Sequence, residues 1–90
     1  MEKAVLTVIG KDTKGIIARV AMLLYENNIN ILDISQTIMQ DMFTMIMLCD
    51  ITECRVKFDA LAENLDDLGE KLGLSVRIQH EDIFNSMHRI

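Results

Sequence analysis

Ninety residues make a single domain, residues 1–90. Half of them are hydrophobic, and a chain of this size buries little more than ~60% of its unfolded surface, so some apolar side chains must face outward or into a partner. The net charge of −5 and the total of one Tyr, three Phe and no Trp exclude a basic or base-stacking surface, so no nucleic-acid partner is expected.

The chain has no proline, and its punctuation is sparse. Lys3–Ile9 is β-branched and apolar and reads as a largely buried strand. Gly10 is expected to let the backbone leave that strand sharply. In the loop Lys11-Asp12-Thr13-Lys14-Gly15, Asp12 or Thr13 can cap the following helix by accepting a backbone N–H bond. From Gly15 to about Asn27, Ile16, Ile17, Val20, Ala21 and Leu24 recur at helical spacing, and Asn27-Asn28 suits a left-handed helix end. Ile29–Gln40 reads as a strand, with a bulge near Leu32-Asp33 that brings Ile31 and Ile34 to one side. Asp41 marks a turn, and Met42–Ile51 completes a hairpin. Thr52 is a fair N-cap for an amphipathic helix marked by Phe58, Leu61, Ala62, Leu65, Leu68 and Leu72, with Gly73 at its C-terminal end. Leu74–His80 alternates as a half-buried strand. The tail 81–90 suits a short helix with Ile83, Phe84 and Met87 on one side.

The order β-α-β-β-α-β predicts an α+β, ferredoxin-like fold: a four-stranded antiparallel sheet with both helices on one face. The strand Met42–Ile51 is apolar on both parities, which is unusual for a sheet with one open face. A self-association surface is the expected explanation, with Phe43, Met45 and Met47 as its interface residues; the alternative is local variation or cover of that face by the tail.

The loop Gly10–Ile16 is the expected ligand site. Gly15 lets another group approach the helix start, whose free N–H groups and dipole suit a carboxylate. Lys11 and Lys14 add positive charge, and Asp12 can accept from an ammonium group. Together they suit a zwitterion. The competing reading is local: Asp12 caps the helix and Gly15 permits close packing.

Other residues point to no chemistry. His80-Glu81-Asp82 and His88 do not have the spacing of a metal motif, and two cysteines, Cys49 and Cys54, cannot build a structural zinc site. Both are expected as reduced thiols. No cofactor is implied. The seven methionines, four of them within Met39–Met47, read as core and interface filler. Ser35 and Thr37 lack a base, so neither a catalytic residue nor an enzyme is expected. Nothing approaches the ~20 apolar residues of a membrane span, and the charges at Glu2, Lys3, Lys11 and Asp12 do not suit a secretory signal, so no membrane association and a cytoplasmic location are expected.

Gly10-Lys11-Asp12-Thr13-Lys14-Gly15-Ile16, followed by Asn30-Ile31 and Asp33-Ile34-Ser35-Gln36-Thr37, resembles the ACT domain. The likeness spans the whole chain and is strongest to small stand-alone prokaryotic ACT proteins and to the ACT modules of glycine-cleavage repressors. It implies a dimer in which an amino acid binds between the first loop of one protomer and the start of the second strand of its neighbour. Gly15 then matches the loop glycine, Asp12 a polar contact, and Asn30, beside Ile31, the polar residue given across the interface. Lys14 stands where many amino-acid binders have proline, and Gly10 where some have a contacting side chain. The resemblance implies a regulatory homodimer, or a higher homo-oligomer, acting in trans on a protein partner. The alternative is a purely structural dimerisation module without a ligand.

Overall fold

The computed structural model describes residues 1–87; His88 and the end of the expected tail lie outside the described residues. The elements are β1 (Lys3–Lys11), α1 (Ile16–Glu26), β2 (Asn30–Met39), β3 (Met42–Asp50), α2 (Phe58–Leu72), β4 (Leu74–His80) and α3 (Glu81–Met87). The strands form one antiparallel sheet in the order β2-β3-β1-β4. This is the expected ferredoxin-like arrangement.

The core follows from alternation. Ala4, Leu6 and Val8 of β1 are fully buried, and cross-strand register sets them beside Cys49, Met47 and Met45 of β3. Val76 and Ile78 of β4 lie on the same face. Helix α1 closes that face with Ile16, Val20 and Leu24, and α2 with Leu61 and Leu65. Both sets recur at i, i+4 spacing, the signature of a helix with one apolar stripe.

This register corrects the expected interface. Phe43, Met45 and Met47 point under the helices, and both methionines are 0% exposed. They are core residues. The open face carries the other parity, where Ile46 is 41% and Met42 52% exposed. Both parities of β3 are apolar, so sequence alternation gives no means of choosing between them.

The ends of the helices also differ in detail. The N-cap of α1 is Gly15, at φ 84°, and no side chain caps the helix. Asp12 and Thr13 are therefore free of that duty. Thr52 does not cap α2, which begins after Lys57. Instead Thr52 accepts from the Glu2 N–H (2.8 Å) and donates its own N–H to Asp50 Oδ1 (3.0 Å), closing the turn after β3. The bulge in β2 falls where expected, between Ile31 and Asp33. Asn28 (φ 61°) follows α1 and Gly73 (φ 71°) ends α2, both left-handed as helix ends favour.

Candidate functional site

The loop between β1 and α1 sits at one end of the sheet, where β1 meets the β2–β3 hairpin. Gly10 and Lys11 pair with Phe43 and Met42. The Asp12 N–H donates to the Asp41 carbonyl (2.9 Å), which ties the loop to the hairpin turn. Thr13, Lys14 and Gly15 follow before α1 starts at Ile16, and the first N–H groups of that helix have no intrahelical partner.

Beside the loop lies a cleft of about 310 Å³. Asp12, Thr13, Gly15 and Ile16 form one wall, the first turn of α1 (Ile17, Ala18) another, and Gln36, Ile38 and Phe43 the floor. Register places Gln36 opposite Met45 and Ile38 opposite Phe43, so both floor residues stand on the helix-covered side of the sheet. Yet β2 lies beyond the helices, and Ile38 remains 53% exposed. The cleft therefore opens at the free edge of β2. An anion fits the helix N-terminus, a cation fits Asp12, and Ile38 and Phe43 offer apolar contact.

Of the expected site residues, Asp12, Thr13, Gly15 and Ile16 converge on this cleft. Lys11 and Lys14 are exposed and do not line it. Gly10 has another role. It lies inside β1, which runs on to Lys11, and a Cβ there would sit 2.3 Å from Leu74 Cδ2 and 3.3 Å from Leu74 Cα. It admits β4, and the sharp strand exit expected of it is absent. At Gly15 an added Cβ would meet nothing within 4 Å, so φ alone demands glycine there. Gln36, Ile38 and Phe43 were not singled out as ligand contacts; the sequence signal for the first two is their shared parity on β2.

Asn30 and Ile31 lie elsewhere. Asn30 pairs with Asp50, at the opposite end of the sheet from the loop, roughly 26 Å away along a nine-residue strand. Asn30 borders a second cleft, of about 360 Å³, with Tyr25, Glu26, Asn28, Ile29 and Arg55. There the Arg55 N–H donates to the Asn27 carbonyl (3.0 Å) and Asn28 Nδ2 to the Glu53 carbonyl (3.2 Å), fixing the loop against the end of α1.

Other polar groups have local explanations. The His80 ring stacks on Phe58 (centroids 4.0 Å, 21°), and its Nδ1 is 3.7 Å from Glu2 Oε1. Among the described residues no trio of His, Cys, Asp or Glu could hold a metal ion, and no helix is long and apolar enough to cross a membrane. Burial pushes the Cys49 thiol up to about 11, which keeps it protonated and unreactive. Hydrogen bonds from the Thr52 hydroxyl and N–H lower the Asp50 carboxyl below its ordinary 3.8.

Comparison with known proteins agrees with this architecture. Residues 2–79 match the family model of the ACT domain, and the chain belongs to that family, whose members typically serve regulation by binding small ligands. It is similar to a UPF0237 protein of Clostridium acetobutylicum, 60% identical over 98% of this chain and 99% of the relative. A solved ACT domain protein from Streptococcus pneumoniae superposes with a TM-score of 0.81 at 36% identity, covering 92% of this chain and 93% of that one. A protein assigned as a glycine cleavage system transcriptional repressor shares the fold (TM-score 0.72, 24% identity) over 88% of this chain and 45% of its own.

Proposed function

We propose that the chain is a non-catalytic regulatory module. It forms a homodimer through the free edge of β2 and binds an amino acid where the loop cleft meets the partner's β2. The observation that carries this reading is the cleft itself: it gathers Asp12, the α1 N-terminus, Gln36 and Ile38, and opens at the unpaired strand edge. Its volume, about 310 Å³, is at the low end of the ~300–1,000 Å³ typical of small-molecule sites, a scale suited to a free amino acid.

Edge pairing also resolves the distance between Asn30 and the loop. An isologous dimer pairs β2 antiparallel with its copy. Across β3, Ser35 lies midway between the two ends of β2. Pairing about Ser35 sets the partner's Asn30 beside Met39 and the partner's Ile31 beside Ile38, at the mouth of the cleft. The exposed Ile34 and Ile38 then find apolar cover.

The bound ligand favours one dimer geometry, with a coupling of ~1–3 kcal/mol, and a protein partner reads that geometry in trans. A thermal-shift screen over the twenty amino acids tests the site. At least one ligand raises the melting temperature, and Asp12→Ala abolishes that rise. If no amino acid acts at millimolar concentration, the module is a structural dimerisation unit only.

A further inference from the structure

The second cleft is lined by hydrogen-bond donors: Tyr25, Asn28, Asn30 and Arg55, with Ile29 at its base and Glu26 as its one acid. Among the described residues Arg55 makes no ion pair. The Arg55 guanidinium, with Tyr25 and Asn30 lining the same cleft, offers a receptor for a carboxylate, while the Asn28 amide already donates to the Glu53 carbonyl.

The position of this cleft matters as much as its chemistry. It flanks the first residue of β2, while the loop cleft flanks the last part of the same strand. Pairing of β2 about Ser35 reverses one strand against the other and brings the two clefts, from different protomers, to the same edge. Helix α1 reverses with it, so the partner's Tyr25 comes toward the start of α1. The partner's Arg55 comes toward the hairpin turn to which Asp12 is tied. Between them the two clefts offer two groups that favour anions, the α1 N-terminus and the Arg55 guanidinium, and one acceptor for a cation, Asp12.

We infer that the two clefts form one composite site and that its ligand is an amino acid with an acidic side chain, the side-chain carboxylate taken by the partner's Arg55. This inference rests on the proposed amino-acid site and specifies its ligand class. Asp12 accepts from the α-ammonium, the α1 N-terminus receives the α-carboxylate, and Arg55 selects against amides of the same shape. A site built to bind a charged group rejects the neutral isostere because its own charge is left unpaired.

The test compares L-glutamate with L-glutamine, and L-aspartate with L-asparagine, by calorimetric titration of the full chain and of Arg55→Met. The acids are expected to bind at least ~10-fold more tightly than their amides. Arg55→Met should abolish the preference for the acids over their amides and leave the sedimenting mass unchanged. The inference is overturned if the amides bind as well as the acids, or if Arg55→Met keeps the preference. It is equally overturned if the variant dissociates the dimer, which would make Arg55 an interface ion-pair partner. If neutral amino acids bind in an Asp12-dependent way and acids do not, the inference falls and the loop site stands. If no amino acid binds at all, both fall.

Discussion

Strands β2 and β4 are both edges of the sheet, and they are built differently. β4 is short, and Val76 and Ile78 are buried beneath α2 while Ser75 and Arg77 face water. β2 is longer, has no fully buried residue, and still carries Leu32, Ile34, Ile38 and Met39. An edge strand is normally blunted by charge, proline or cover. β2 has a single charge, Asp33, and a bulge near its start. Uncovered apolar residues on this strand are what the proposed β2–β2 contact rests on, and the loop cleft opens on the same strand.

The largest test of this contrast is a pair of substitutions. Val76→Asp buries a charge without a partner, at a cost of several kcal/mol against the ~5–15 kcal/mol that stabilises a typical domain, and should unfold the chain in circular dichroism. Ile34→Asp should leave the secondary structure intact and reduce the sedimenting mass to that of a monomer. If both variants unfold, or neither changes mass, the two edges are not distinct in this way. Gly10→Ala probes the β4 side alone. Its Cβ would press on Leu74, so ~1–3 kcal/mol of stability should be lost in a denaturant titration, with no change in association. Gly15→Ala probes the cleft at the β2 side. Space is open there, and the left-handed backbone alone should cost about 1 kcal/mol, with Gly15→Asn costing less. The smallest effect is at the far end of β3. The Asp50 carboxyl is lowered in the fold, so its stabilising contribution is present above its ordinary 3.8 and fades as pH falls through the lower folded value. Thr52→Ala should flatten that acid limb in melts taken between neutral and acid pH.

The order and most boundaries of the elements were legible because glycine and asparagine end segments of clear period. The bulge at Leu32 could be read from the parity of Ile31 and Ile34. Other features depend on three-dimensional context. Thr52 looks like a cap by residue type, but the chain continues through residues 53–57 before α2 starts, leaving it to close a turn. Gly10 reads as a loop glycine, yet its need comes from Leu74, sixty-four residues later. Of the loop residues expected at the site, Asp12, Thr13, Gly15 and Ile16 line the cleft, whereas Gly10, Lys11 and Lys14 do not. Gln36 and Ile38 were not legible, because only sheet register brings them under Asp12 and Gly15. The separation of Asn30 from the loop is likewise a consequence of strand direction.

The central claim is that Asp12 and Asn30 of different protomers serve one site. It is tested most directly by mixing Asp12→Ala with Asn30→Ala protein after subunit exchange and titrating the amino acid that gives the largest thermal shift. Each variant alone should fail to bind. In the mixture, heterodimers regain one intact site, about a quarter of all sites if exchange is random. A mixture that binds no better than the separate variants would contradict a site shared across the β2 edge.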